Sequence, residues 1–119
     1  MDQGDDVMAG AMELGPLEQQ AFSLSRVAIL LDTVRQGDSK PELAAALEEN
    51  LELWVAIRTL AESPQTKLAQ EIKENLVKLS NFVAETIMKR GVDVSPGTLD
   101  TLININLQIC EGLLESVRR

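Results

Sequence analysis

The sequence predicts an all-α fold, an antiparallel up-down four-helix bundle with a flexible acidic N-terminal tail. From Leu17 onward the apolar residues recur at three- and four-residue steps, which is the period of an amphipathic helix. Serine, proline and glycine signals divide this region into four segments of a length that suits bundle helices. With 119 residues, of which 45% are hydrophobic, the chain can build one domain with its own core.

Residues 1–16 are assigned to a mobile acidic tail, and residues 17–119 to the helical bundle domain. The tail sequence MDQGDDVMAGAMELGP holds four acids and no base, so it carries half of the formal net charge of −8. Its glycines and its proline, without any sustained apolar period, are typical of a mobile segment. Val7, Met8 and Met12 lie among the acids, which suggests the hypothesis that the tail shields an apolar groove of the bundle.

The first two helices are bounded by glycine and serine signals. The first helix ends in the segment RQGDS, where Gly37 is expected to supply a left-handed residue. The second begins at Ser39, a good N-cap, and Glu42 completes an S-x-x-E capping box. It is expected to end at Ser63, because a residue before proline is pushed out of helical geometry.

Two Ser-Pro pairs predict the starts of the third and fourth helices, with serine as N-cap and proline in the first turn. The third helix is therefore expected to begin at Ser63-Pro64 and to end before Gly91. The fourth is expected to begin at Ser95-Pro96, with Asp100 near the positive end of its dipole. Short connections place consecutive helices antiparallel.

The charge and the residue types argue against several functions. An acidic chain does not suit binding to nucleic acid or to an anionic membrane surface, because both require basic surfaces. With no histidine and one cysteine, the chain offers no Ser-His-Asp or Cys-His pair and no imidazole or thiolate metal site. No glycine-rich phosphate loop is present. We therefore expect neither an enzyme nor a binder of a cofactor or metal.

The location expected for the protein is the cytoplasm. No apolar run approaches the roughly 20 residues that a membrane-spanning helix needs. The acidic N-terminus lacks the basic start and apolar stretch of a secretory signal. A single cysteine, Cys110, cannot form an internal disulfide, which suits a reducing compartment.

Asn50, Asn75 and Asn106 are polar residues on the apolar stripes of three different helices. An unpaired buried amide costs about 1–3 kcal/mol, so each of them needs a partner. One interpretation is that they bond to one another or to nearby backbone and fix the helix register. The alternatives are that one or two face a groove and bind a partner, or that they lie exposed at a stripe edge.

Trp54, the only tryptophan, lies one turn after Asn50 in the segment ENLELWVAI. An aromatic residue at helical spacing normally packs inside, although tryptophan is also enriched at binding hot spots. Phe22 and Phe82 are expected to fill the core. Gly112, inside the fourth helix, is expected to permit close helix approach, or else a kink that admits a partner. Cys110, on the apolar stripe of the fourth helix, is expected to act as an inert small hydrophobic residue.

Three segments resemble the FlaF family of flagellar biosynthesis regulators. They are NLELW at 50–54, NLVKLSNFVAETI at 75–87 and LININLQICEGL at 102–113. The family pattern of N-x-x-LW, a leucine/serine-rich helix with a Phe-Val pair, and I-N-R-x-I-x-x-GL is matched in order over about residues 17–115. The matching positions are Asn50, Leu53, Trp54, Leu79, Ser80, Phe82, Val83, Ile105, Asn106, Ile109, Gly112 and Leu113. Leu107 departs from the pattern, since it stands where arginine is common.

The resemblance implies a helical protein without enzymatic activity that binds flagellin as a chaperone and supports flagellin synthesis and secretion. It also implies FlbT as a second partner. The partner-binding residues it marks are Asn50, Leu53, Trp54 and Asn106. Two alternatives remain: a post-transcriptional regulator of flagellin that acts through another protein such as FlbT, or a self-associating bundle whose apolar stripe closes a homodimer. Either a monomer or a weak homodimer is compatible with the pattern.

Overall fold

The computed structural model describes residues 15–118 and confirms the all-α four-helix bundle. Its helices are α1, Pro16–Arg35; α2, Lys40–Glu62; α3, Gln70–Arg90; and α4, Pro96–Arg118. A short 3₁₀ helix, Gly91–Asp93, joins α3 to α4. No residue from 15 to 118 lies in a β-strand. The predicted acidic tail lies outside the described residues except for Gly15, which is the N-cap of α1, and Pro16, which begins that helix.

Three of the four predicted helix starts are confirmed, and a local hydrogen bond stabilises each of them. The amide of Gly15 donates to the Glu18 carboxylate over 3.3 Å at the start of α1. The Ser39 hydroxyl accepts a hydrogen bond from the amide of Glu42 over 3.3 Å and so caps α2 as predicted. The Ser95 hydroxyl likewise accepts from the amide of Thr98 over 3.1 Å at the start of α4.

The predicted start of the third helix at Ser63-Pro64 is wrong, because α3 begins at Gln70. Ser63 instead ends α2, and its carbonyl accepts a hydrogen bond from the amide of Thr66 over 3.2 Å, which closes a turn around the proline. The Thr66 hydroxyl donates back to the Leu60 carbonyl, which also accepts a hydrogen bond from the amide of Ser63. Residue 69, the N-cap of α3, is an alanine without a capping side chain.

The two glycines predicted to end helices behave differently. Gly91 follows α3 with a φ of 51°, and no other residue from 15 to 118 has a positive φ. The prediction for Gly37 is wrong, since α1 ends through Gln36 in the right-handed conformation. A left-handed residue is therefore used where α3 turns into the 3₁₀ helix but not between α1 and α2.

The helices pack around one core in the order α4, α1, α2, α3. Helix α1 packs along both α4 and α2, and α3 packs along α2. Among the described residues α3 and α4, the remaining neighbours of a closed bundle, form no comparable interface. The largest fully buried apolar side chains are Trp54, Leu24, Leu31, Leu47, Ile57, Leu102, Val27 and Val83. The bundle is thus closed on three sides and loosely closed on the fourth.

Two residues expected in the core lie on the surface. Phe22 is 58% exposed and Phe82 is 42% exposed, so the prediction that they fill the core is wrong. Each of them follows or precedes a buried residue, Ala21 or Val83, along its helix. Adjacent residues of an α-helix point about 100° apart, so a neighbour of the buried stripe is turned away from the core. None of the helices described is long and apolar enough to cross a membrane.

Candidate functional site

The centre of the bundle holds a hydrogen-bonded cluster of Asn50, Trp54 and Asn106, here called the amide–indole cluster. The indole Nε1 of Trp54 donates to Oδ1 of Asn106 over 2.9 Å. The Nδ2 of Asn106 donates to Oδ1 of Asn50 over 2.7 Å. All three side chains have an exposure of 0%. The cluster therefore ties α2 to α4 across the middle of the bundle, where the two helices do not pack directly.

The orientation of both amides follows from the chemistry of the indole. An indole nitrogen can only donate a hydrogen bond, so Asn106 must present its oxygen to Trp54. Its amide nitrogen then points to Asn50, which must present its own oxygen. The Nδ2 of Asn50 is left buried, with no hydrogen-bond partner among the described residues. Such a group costs about 1–3 kcal/mol, which offsets part of what the two bonds contribute.

The four predicted partner-binding residues are all buried. Leu53 is 8% exposed and lies in the core with the amide–indole cluster. A partner could touch these side chains only if helices moved apart, so their binding of a partner stays a prediction. In the structure they position α2 and α4.

Of the three stripe asparagines, two are paired with each other and one is not buried. Asn50 and Asn106 bond to each other, as the register interpretation predicted. That interpretation is wrong for Asn75, which is exposed on α3, next to the buried Leu76. Asn75 follows the third alternative, exposure at the stripe edge.

Two contacts determine which flanks of α3 and α4 face each other. On α3, Asn81 accepts a hydrogen bond from Arg58 of α2 over 2.6 Å, so that flank of α3 adjoins α2. On α4, Asp100 binds Arg35, the last residue of α1, so that flank of α4 adjoins α1. The opposite flanks of α3 and α4 are turned toward each other.

The facing flanks form a shallow surface channel, here called the α3–α4 groove. At one end Phe82, Thr86 and Thr98, together with the charged residues Glu85, Lys89 and Arg90, line a common cavity of about 290 Å³ that joins the two helices. Farther along, Leu79 on α3 and Ile105 and Ile109 on α4 are half-buried and pack against the core. The α3–α4 groove therefore has an apolar floor where the bundle is incompletely closed.

No charged residue stands on the two stripes that line the α3–α4 groove. Both stripes advance by alternating three- and four-residue steps, the spacing of a coiled-coil seam. On α3 they are Ile72, Asn75, Leu79, Phe82 and Thr86; on α4 they are Thr98, Thr101, Ile105, Gln108 and Gly112. The absence of charge holds for the stripes themselves and not for their flanks, because the cavity beside Ile72 and Asn75 is otherwise lined by Glu71, Glu74 and Lys78.

The prediction that Gly112 permits a close approach between helices of the bundle is wrong. Gly112 is exposed, and a Cβ atom placed on it would have no neighbour within 4 Å. It leaves a flat position at one end of the α3–α4 groove. A mid-helix glycine costs about 1 kcal/mol relative to alanine, and no contact inside the described chain offsets that cost.

Other apolar side chains are exposed elsewhere on the bundle. On α1, Phe22 and Ile29 lie two turns apart on one face, and Ile29 is 63% exposed. Val55 on α2 and Met88 near the end of α3 stand singly, which is normal for a protein surface. The face of α1 with Phe22 and Ile29 is therefore the main competitor of the α3–α4 groove as an interaction surface.

The pKa values of two titratable groups, Cys110 and Arg35, are shifted. Burial and the charge of Glu111 raise the pKa of the Cys110 thiol, which favours the neutral and less reactive form. The hydrogen bond that Arg35 donates to the Asp100 carboxylate raises the pKa of the Arg35 guanidinium, which stays charged. In the stretch from Gly15 to Arg118, no cluster of three or more histidine, cysteine or acidic residues could hold a metal ion. The arrangement suits binding by shape and apolar contact.

Comparison with known proteins identifies one relationship. Residues 8–113 match the model of a family described as flagellar protein FlaF. The matched range includes the whole amide–indole cluster and both stripes of the α3–α4 groove. No curated protein and no solved structure matches the chain.

Proposed function

The chain belongs to the FlaF family of flagellar proteins, and from this premise we propose that it binds flagellin as a chaperone. In this role it supports flagellin synthesis and secretion while the flagellum is assembled. It acts in the cytoplasm, where flagellin is made, and it does so by binding and not by catalysis. In this proposal FlbT is a second partner in the same regulation.

The α3–α4 groove is the observation that carries this proposal beyond the family match. A chaperone of an unassembled subunit needs an apolar surface that stays accessible in the folded protein. Here the bundle leaves Ile72 and Phe82 exposed beside a half-buried apolar floor. Segments that fold on binding pay an ordering cost of about 2–5 kcal/mol, so they require extended apolar contact of this kind.

Co-elution of the purified protein with flagellin tests the proposal. We expect a one-to-one complex by size-exclusion chromatography with light scattering at concentrations on the order of tens of micromolar. The absence of a complex, with both proteins folded, would overturn flagellin binding. Recovery of FlbT from cells that lack flagellin would favour regulation through another protein. A dimer whose mass is unchanged by flagellin would favour self-association.

A further inference from the structure

We infer that the α3–α4 groove is the docking site and that its occupant is one amphipathic α-helix of flagellin, lying along the groove with an uncharged apolar stripe. This inference rests on the proposed function and adds the surface, the conformation of the bound segment and the charge pattern of that segment.

The conformation follows from the spacing of the two stripes. Each stripe alternates steps of three and four residues. On average it therefore places one side chain in every 3.5 residues along one line of its helix. A third helix that packs against two such lines can place its own apolar side chains between them, at the usual interhelical distance of about 8–10 Å. An extended strand would find no backbone edge here, since α3 and α4 satisfy their own amides internally.

The length of the groove sets the length of the bound segment. The α3 stripe extends from Ile72 to Thr86 and the α4 stripe from Thr98 to Gly112, each spanning 14 helical steps. At 1.5 Å per residue this corresponds to about 21 Å, or four turns of a bound helix. Gly112, without a side chain, allows the end of that helix to approach α4 closely.

The charges around the groove give the bound helix a direction. At the α4 start, the groove ends beside Lys89 and Arg90, which line the same cavity as Phe82 together with one acid, Glu85, so that cations are in excess at this end. At the opposite end, Glu71 precedes Ile72 on α3. A bound helix with an acid beside the two cations would gain a favourable charge interaction, which decreases with added salt. The expected occupant is therefore neutral in its middle and acidic at the end near Lys89.

The chain offers a matched pair of phenylalanines for the test. Phe82 lies in the groove and Phe22 lies on α1, and both are exposed. The variants Phe82→Asp and Phe22→Asp each place a carboxylate on the surface, and circular dichroism checks that both remain helical. We expect Phe82→Asp to weaken flagellin binding about tenfold or more and Phe22→Asp to change it less than about twofold.

A second pair of variants tests the charge pattern. Lys89→Glu with Arg90→Glu in one chain reverses the charge at the groove end, and Lys40→Glu reverses a surface charge at the start of α2. We expect the double variant to weaken flagellin binding and Lys40→Glu to leave it unchanged. At high salt the difference between the double variant and the wild type is expected to disappear.

The outcomes separate the docking site from the function. Wild-type binding that survives Phe82→Asp but is lost in Phe22→Asp would overturn the groove and leave flagellin binding in place. A wild-type dimer that Phe82→Asp dissociates would assign the groove to a second copy of this chain and overturn the inference. No binding of flagellin by the wild type would overturn both the proposed function and the inference.

Discussion

Asn106 donates a hydrogen bond to Asn50 over 2.7 Å inside the bundle, and both side chains are completely buried. Asn106 also accepts a hydrogen bond from Trp54. It therefore takes part in both hydrogen bonds of the amide–indole cluster, whereas Asn50 and Trp54 take part in one each. The cluster links α2 to α4 across the bundle, while α3 packs chiefly along α2. This central tie supplements the packing of α4 along α1, and both hold α4 at its distance from α3.

Replacing Asn106 with alanine is expected to destabilise the fold by about 2–4 kcal/mol. The change leaves the indole of Trp54 and the amide of Asn50 buried without partners and also leaves a cavity. Urea unfolding followed by the fluorescence of the single tryptophan measures the loss. A loss below about 0.5 kcal/mol would show that the two bonds do not matter to stability.

Replacing Asn50 with leucine is expected to cost less than about 1 kcal/mol. The wild type already buries one unpaired donor, Nδ2 of Asn50. The variant removes that donor but leaves Nδ2 of Asn106 unpaired, so the number of unpaired buried donors stays the same. The same urea experiment compares the free energies of unfolding. A loss as large as that of Asn106→Ala would contradict the assignment of donors and acceptors in the amide–indole cluster.

Gly112→Ala is expected to stabilise the protein by about 1 kcal/mol, because alanine favours the helix and the added Cβ meets open space. Gly91→Ala provides the matched control, since Gly91 has a φ of 51° and alanine is strained there. The control is expected to lower the thermal midpoint while Gly112→Ala raises it. If Gly112→Ala also weakens flagellin binding, the result would indicate that the bound helix approaches α4 closely at this glycine.

Cys110 is expected to react slowly with an aromatic disulfide such as dithiobis(nitrobenzoate) at about pH 8. Burial and Glu111 raise the pKa of its thiol, so less thiolate is present than in the unfolded chain. Because the folded pKa is raised, the contribution of this group to stability is complete below the unfolded pKa. It is lost as the pH rises through the folded pKa. Reaction at the rate of the urea-unfolded protein would contradict this account.

The sequence was sufficient to predict the number of helices and most of their buried residues, because helical periodicity records which face of each helix is apolar. It also placed Asn50 and Asn106 where they could bond to each other. It could not reveal their pairing with Trp54, since that depends on how α2 and α4 are placed across the bundle.

The errors have local and tertiary causes. Phe22, Phe82 and Asn75 each lie one position from a buried residue, and composition alone does not tell a core aromatic from a surface one. The turn at Ser63-Pro64 depends on the Thr66 hydroxyl bond to Leu60, which a Ser-Pro signal does not indicate. The missing interface between α3 and α4 is a tertiary property. The one sequence signal for the groove is the uncharged three-and-four spacing from Ile72 to Thr86 and from Thr98 to Gly112.

Hydrogen–deuterium exchange on the flagellin complex tests the central claim most directly. Binding in the α3–α4 groove predicts that peptides covering residues 72–86 and 98–112 exchange more slowly in the complex than in the free protein. Peptides covering Phe22 to Ile29 on α1 are expected to exchange at unchanged rates. Slower exchange confined to the α1 peptides, with unchanged exchange along the groove, would contradict the account.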